Sequence, residues 1–451
     1  MYELALNNVT LVDPDNGVWC GSIGMSDGII ATISEDVLSG DTAIDATGLL
    51  AFPGLVDPHT HFGMKGNVTE DFQASTRAAI RGGVTSALVF FRTGHPYKET
   101  LEPFIEQARA GSLIDFGIHC GLLTPEHLAE IPWLIEHGVT SFKFYMGYKG
   151  FEKARYGSSQ AMDDGFFVDV IAALTPYRDK VVLAVHCENP ELTARYRHSI
   201  SPQGTQFLDR FNQENPPDAE AEAIWKAAFL SNRGGVPLYV VHLSSAEGAS
   251  AVRQLKNLPS KRPMWVETCP HYLVTDTSNR FGPMAAVLPP LRAPGDNEVL
   301  WEEVLSGAIC TVGSDHCSYQ RSEKVTEDGQ LVPQAFGFGE VGHTLSLLLE
   351  EGRRQRQMPL ADIARCTSRN SAKIFGLYPS KGSLRPGADA DIVLVDLEQE
   401  WSLPLPDLDM SIYEGRTVTG LPVMTIKGGR VVAQGLTLNS GAKLGRYLHR
   451  G

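Results

Sequence analysis

Residues 51–61 read AFPGLVDPHTH, an apolar β-type run from Ala51 to Asp57 that ends in Pro58-His59-Thr60-His61. Side chains along a strand repeat every second residue, so His59 and His61 share a face and can reach one ion. Seven more apolar runs follow, at Thr85–Phe91, Asp115–Leu122, Thr140–Met146, Val181–Cys187, Pro237–Leu243, Pro263–Thr268 and Gly307–Gly313. Between them, Asp71–Arg81, Lys98–Ala110, Pro125–His137, Asp164–Pro176 and Ala219–Ser231 carry apolar residues at helical spacing, several behind a Ser, Thr or Asp able to cap. Near-continuous apolar strands alternating with helices predict a parallel sheet covered on both faces. Eight such units predict an α/β chain of the (β/α)8 TIM-barrel kind. No GxGxxG turn follows the first strand, which argues against an open dinucleotide-binding sheet.

The two ends of the chain have another texture. Glu3–Thr10 and Gly28–Ile33 near the start, and Ala390–Asp396 and Val423–Gln434 near the end, are β-type without helical periodicity. They predict a small β-sandwich domain formed by both termini, residues 1–50 and 378–451, beside a barrel catalytic domain over 51–377. The 451 residues, 43% of them hydrophobic and 20% charged, suffice for a large core. The formal charge, 39 − 53 = −14, argues against nucleic acid as a partner, because phosphate binding needs a basic patch. No run of about 18 apolar residues offers a membrane span. The N-terminus has no basic and apolar leader, and seven thinly spread cysteines suit reduced thiols, so a cytoplasmic location is expected.

Barrel enzymes carry their chemistry at the C-terminal strand ends. Those ends hold His59 and His61, Lys143 within SFKFYM, His186 in VHCE, His242 in VHL and Asp315 in GSDH. A single strand-end histidine is more often structural than a ligand, and Asp after Gly-Ser is common in turns. Lys143 is the telling residue, because an ammonium inside an apolar strand is costly unless paired or neutralised. A salt bridge would serve; so would carbamylation by CO2, which turns the amine into a carboxylate able to bridge two cations. Four imidazoles, one carboxylate and one modified lysine make the six groups of a two-metal hydrolytic centre. Such ligands suit Zn2+, with Mn2+, Fe2+ or Co2+ as alternatives. Two ions about 3.5–4 Å apart hold a hydroxide at neutral pH and polarise a carbonyl.

The ordered series GLVDPHTHF, SFKFYMGYKG, VHCEN, YVVHLS, ETCPHYL, PPLR, GSDHC and IFGLYPSKGSLRPGADADIVLVD, with YEGRTVTGLPVMTIKGGRVVAQG and GRYLHR at the end, resembles the hydantoinase/dihydropyrimidinase branch of the amidohydrolase superfamily. The resemblance runs over essentially the whole chain. It implies a barrel plus β-sandwich and two divalent metal ions, with His59, His61 and Asp315 on one, His186 and His242 on the other, and N6-carboxylysine at Lys143 bridging. It implies attack by a metal-bridging hydroxide on a cyclic amide or imide, Asp315 as the proton carrier to the leaving nitrogen, and Tyr148 as donor to the developing oxyanion. It also implies a small-molecule substrate and a homo-oligomer, tetramer or dimer.

The departures from the family pattern concern the substrate. Leu288 stands before Pro-Pro-Leu-Arg where hydantoinases usually have Ser, so backbone contacts survive and a hydroxyl contact does not. Gln334, in Pro333-Gln334-Ala335-Phe336-Gly337-Phe338, replaces the usual Asn of the ring-binding stretch. Gly63 stands where dihydroorotases commonly place the arginine that binds a substrate carboxylate, which makes a dihydroorotase a minor alternative. Allantoinase remains an alternative, as does hydrolysis of a non-cyclic or xenobiotic amide. A non-catalytic assembly protein would lack metal ligands, and this chain keeps all six. Phe336 and Phe338 are read either as a hydrophobic pocket for a ring substituent or as loop packing, and Cys187 and Cys317 as packing residues.

Overall fold

The computed structural model describes residues 1–64, 66–150, 160–200, 205–439 and 445–451. The N-terminal segment forms β1 (Tyr2–Asp13), β2 (Gly17–Ser26), β3 (Ile29–Ser34), β4 (Gly40–Asp45) and β5 (Leu50–Pro53). Two of these, β2 and β4, escape the sequence reading, because their alternation is diluted by glycine and polar residues. The C-terminal half returns to the same sheet through β14 (Ile392–Val395), β17 (Pro422–Lys427), β18 (Arg430–Gln434) and β19 (Thr437–Leu438); β15 (Glu400–Ser402) and β16 (Thr417–Thr419) form a separate hairpin. The run read as Val423–Gln434 is thus two antiparallel strands turning at Gly428-Gly429, both at positive φ. The sheet has nine strands, ordered β19-β18-β17-β14-β5-β1-β2-β3, with β4 pairing β1. Leu6, Leu11, Ile23, Met25, Ile392, Leu394 and Ile426 are among the buried residues of its core.

A correction falls on the first barrel strand. The run Ala51–Asp57 is split at Gly54 into β5, which pairs with β1 and β14, and β6 (Leu55–Thr60), which opens the parallel sheet. A side chain at Gly54 would collide with Thr85 Oγ1 and the Cβ of Asp391. The other seven strands are β7 (Val84–Phe91), β8 (Asp115–Gly121), β9 (Ser141–Tyr145), β10 (Val182–His186), β11 (Leu238–Val240), β12 (Met264–Thr268) and β13 (Thr311–Val312), in chain order through one eight-stranded parallel sheet. Helices alternate with them, including Val68–Arg81, Tyr97–Gly111, Pro125–Glu136, Asp164–Leu174 and Pro217–Gly234, all within a few residues of their predicted bounds. The caps are those the sequence offers: Thr124 accepts from His127 N, and Asp163 from Phe166 N. The architecture is a (β/α)8 barrel with an additional sheet drawn from both chain termini. No helix among the described residues is long and apolar enough to cross a membrane.

The chain divides into two compact units, Met1–Leu88 with Gln107–Gly117 and Gly339–Leu448, and Val89–Glu106 with Ile118–Phe338 and His449–Gly451. The first contains a buried charge cluster. Lys381 Nζ lies 2.5 Å from Asp115, 2.6 Å from Asp391 and 2.9 Å from Asp389, while Lys427 Nζ lies 2.7 Å from the other Asp115 oxygen. Arg446, near the chain's end, adds its guanidinium at 3.2 Å from Asp115. The cluster ties the start of β8, the approach to β14, the end of β17 and the C-terminal tail together.

Burial alone would push the Asp115 carboxyl up, but Lys381 and Lys427 hold it below the ordinary value. A depressed carboxyl contributes stability above its unfolded pKa of about 3.9 and loses it as pH falls through the lower folded value. Unfolding free energy, from urea titrations between pH 7 and 3, is therefore expected to decline below about pH 4. Asp115→Asn should cost about 3–5 kcal/mol at neutral pH and make that acid-side decline shallower. An unchanged acid limb in this variant would remove Asp115 as its cause.

Candidate metal and catalytic site

In the first unit, His59 is the penultimate residue of β6 and His61 lies just past the strand's end. The His59 backbone N–H is held by Asp57 Oδ1 at 3.0 Å, and the two rings meet edge to face with centroids 5.3 Å apart. The helix Val68–Arg81 begins behind them, and Asp71 in its first turn accepts from Gly63 N at 2.8 Å. Gly63 has φ 71°, a left-handed position that glycine takes without strain.

The second unit carries Lys143, His186, His242, Asp315 and Tyr148. Lys143 is central in β9, in register with Ala184 of β10; His186 is the last residue of β10, opposite Tyr145. His242 lies just past β11 and Asp315 just past β13. Both adopt positive φ, 40° and 51°, a conformation non-glycine residues rarely hold and one that clusters at functional sites. All six metal-ligand residues anticipated from the sequence are buried, none more than 8% exposed. His59, His61 and Asp315 each offer an atom able to ligate a metal.

The geometry of the second set fits cation binding. His186 Nδ1 and His242 Nε2 are 2.9 Å apart, and His186 Nε2 is 2.7 Å from Glu188 Oε2. With Glu188 accepting the Nε2 proton, His186 Nδ1 accepts from His242, so one proton sits between two lone pairs that a divalent cation would take. Outer carboxylates of this kind orient ligating imidazoles and raise their basicity. The Lys143 amine lies over ring faces rather than in an ion pair, 4.5 Å from the Phe90 centroid and 5.3 Å from that of Tyr145. Burial brings it down to about 7, against the opposing pull of the Glu267 and Asp315 charges. An amine tuned this way is substantially neutral near pH 7, the form that reacts with CO2.

Tyr148 ends a short 3-10 turn, Met146–Tyr148, directly after β9. Its ring stacks on Tyr145, centroids 4.8 Å apart and planes 6° from parallel, and sits 5.6 Å from the His186 ring. Arg92 Nη1 donates to the Tyr148 hydroxyl at 3.4 Å. Accepting from a cation makes the hydroxyl a stronger donor and sets positive charge beside it.

Sequence reading missed three contributors. Glu267 is fully buried, accepting the His242 backbone N–H at 3.0 Å and the Tyr239 hydroxyl at 2.7 Å, so it braces the positive-φ turn. A glutamate inside the apolar strand Met264–Thr268 was the available signal, as anomalous as Lys143. Arg92, immediately after the apolar β7, was a second; Glu188, two residues past His186, a third. Leu288 and Gln334 are half-buried, and Gln334 adopts φ 65°. The Phe336 ring stacks on Phe211 at 5.5 Å, while Phe338 is buried against His271 at 5.2 Å. Phe338 is thus packing, and Phe336 is the more exposed of the pair. Cys187 and Cys317 are buried, and burial holds the Cys187 thiol far above its ordinary pKa, as suits packing residues.

Known proteins share this chain's sequence pattern and fold. Residues 289–432 match the model of the amidohydrolase family. The chain is 33% identical to the D-hydantoinase of Geobacillus stearothermophilus, an alignment covering 100% of this chain and 97% of that protein. It is 34% identical to the allantoinase of Deinococcus radiodurans, over 96% of this chain and 95% of the relative. A crystal structure of a D-hydantoinase superposes with a TM-score of 0.90 at 31% identity, covering 99% of this chain and 98% of the other. The chain belongs to the amidohydrolase family, in its hydantoinase/dihydropyrimidinase branch.

Proposed function

We propose that this protein is a binuclear metal-dependent hydrolase that opens the ring of a cyclic amide or imide, a hydantoin, dihydropyrimidine or close analogue. The observation that carries the reading is the buried set of imidazole, carboxylate and amine donors in and just past the barrel strands, in a chain that aligns end to end with a D-hydantoinase. In this reading His59, His61 and Asp315 would hold one ion, His186 and His242 the other, and Lys143, once carbamylated to N6-carboxylysine, would supply a carboxylate shared by the two. Zn2+ suits the nitrogen-rich donor set best, with Mn2+, Fe2+ and Co2+ as alternatives. When bound, the pair supplies a hydroxide at neutral pH and polarises the substrate carbonyl.

The chain's own residues do the rest. Asp315 takes up the proton shed by the attacking oxygen and delivers it to the leaving ring nitrogen. Tyr148, backed by Arg92, donates to the carbonyl oxygen as it becomes an oxyanion. Leu288 and Gln334 flank the ring through their loops. Gly63, turned at positive φ with its N–H on Asp71, offers no cation to a substrate carboxylate, which disfavours a dihydroorotate-like ring. A second substrate, allantoin, is favoured by the allantoinase relative, which aligns over nearly the whole chain. The reading extends to a cytoplasmic homo-oligomer, tetramer or dimer, and to a domain division of 1–50 with 378–451 against 51–377.

Three outcomes follow. The purified protein, supplied with Zn2+ or Mn2+, should consume at least one of hydantoin, dihydrouracil, allantoin or a substituted imide, seen as loss of the ring's ultraviolet absorbance. Metal-loaded protein inert on the entire panel would refute the function. Lys143→Ala should bind fewer than two metal equivalents by elemental analysis and lose activity, with short-chain carboxylates restoring part of it; two full equivalents would contradict the bridging role. Tyr148→Phe should retain both ions while kcat falls by about 10^2–10^3, the usual cost of losing one oxyanion donor.

A further inference from the structure

We propose that Lys324 is a positioning residue that locks together the two loops governing ring selectivity, an inference that rests on placing Leu288 and Gln334 beside the substrate. Lys324 ends the one-turn helix Arg321–Lys324, whose start is closed by a reciprocal Gln320–Glu323 capping box. It is completely buried. Its ammonium donates to the carbonyl oxygen of Ala286 at 2.6 Å and to that of Gly337. The Phe338 and Tyr319 rings lie 5.4 and 5.6 Å from the nitrogen. Ala286 stands two residues before Leu288, and Gly337 three after Gln334.

Two carbonyl groups facing each other repel, and only a donor can join them. An ammonium has three donor hydrogens and no acceptor, and its charge strengthens each bond. A main-chain bond also joins the loops at this point, Gly337 N to Ala286 O at 2.9 Å. Gly337 itself has φ 103°, and a Cβ there would collide with Cys317 Sγ, so the loop can pass this close only as glycine. Each loop has a further anchor: the Tyr272 hydroxyl donates to Pro289 O, on the far side of Leu288, and the Tyr319 hydroxyl donates to the carbonyl oxygen of Gln334 itself at 3.4 Å, with Val332 N bonded to Lys324 O at 2.9 Å two residues earlier. Leu288 is therefore held between fixed points at Ala286 and Pro289, the positive-φ Gln334 is pinned at its own carbonyl between Val332 and Gly337, and Lys324 is the point the two loops share. Burying a cation here is costly, whereas an apolar side chain would fill the space more cheaply. What the cation adds is a fixed separation between the loops.

The test uses the full-length, metal-loaded enzyme with Lys324→Met, which keeps the stem and removes the donors, and Lys324→Gln, which keeps a donor. Hydrogen–deuterium exchange over residues 286–289 and 334–338 reads the lock directly, and steady-state kinetics on unsubstituted and 5-phenyl hydantoin read selectivity. Both variants should retain two metal equivalents, with faster exchange in both loops. For Lys324→Met, KM should rise about tenfold with kcat within about threefold, and the kcat/KM ratio between the two rings should shift about fivefold, Lys324→Gln falling between. Unchanged exchange would overturn the lock whatever the kinetics. Faster exchange with unaltered KM and ratio, or a fall in kcat accompanied by metal loss, would overturn the role in selectivity. Failure of both variants to fold would make Lys324 a folding determinant and overturn the proposal. A wild-type enzyme inert on every ring would defeat the functional reading and the selectivity role with it, while exchange would still decide the lock.

Discussion

The chain passes from one sheet to another at a single residue, and that passage sets the geometry of the first compact unit. Gly54 separates β5, hydrogen-bonded into the nine-stranded sheet, from β6, the opening strand of the parallel one. The space at its Cα is already taken by Thr85 of β7 and by Asp391 at the entry to β14. Two sheets can exchange a strand this abruptly only where the crossing residue has no side chain. His59 follows five residues later on β6 and His61 just past its end, so the placement of both imidazoles descends from that crossing. The charge cluster around Asp115 works on the same seam, since Asp391 also accepts from Lys381 and Gly428 N. A close-packed crossing with a buried ion network beside it leaves little freedom for the strand end that carries the histidines.

The second unit solves a different problem, how to keep a primary amine in a dry strand interior. Lys143 is ringed by Phe90 and Tyr145 faces, which cover it without hydrogen bonding, and burial lowers its proton affinity to about 7. The neighbouring carboxylates oppose that shift, so desolvation is the winning effect. Glu267 has a second task. By accepting the His242 backbone N–H it supports a residue at positive φ, a conformation of order 1–3 kcal/mol above the ordinary one. One buried glutamate thus influences the charge state of the lysine and the attitude of the histidine.

What was legible in the sequence follows from where each residue's constraint lies. The barrel helices and most strands announced themselves because their apolar periodicity is imposed by burial on a regular element. The six residues proposed as metal ligands were legible because an imidazole, an amine or a carboxylate in or just past an apolar strand contradicts its surroundings. Gly54 was hidden because AFPGLVD reads as one continuous strand; the break is required by Thr85 and Asp391, which are distant in sequence. Strands β2 and β4 were hidden by polar and glycine-rich composition, being half-exposed members of a sheet whose core is supplied by their neighbours. Arg92 and Glu267 carried a signal of the same kind as Lys143, but their partners become apparent only when separate strands are adjacent; Glu188 pairs with His186 two residues away, a contact that the local turn and not the residue pattern decides.

Selectivity has the opposite character. Leu288 and Gln334 sit in irregular segments, and the groups we propose they bring to a ring are as much main chain as side chain. Main-chain donors and acceptors are identical in every residue except proline, so the sequence says little about how they are aimed. Aim is set by anchors elsewhere: Tyr272 on Pro289, Tyr319 on Gln334, Lys324 on both loops. A strand-end metal shell can therefore stay constant while the recognition surface changes through residues that never meet the substrate. Such a separation is compatible with relatives as different in name as a hydantoinase and an allantoinase aligning with this chain at nearly equal identity. It also directs the search for specificity away from the ligands and toward the anchors of the two loops.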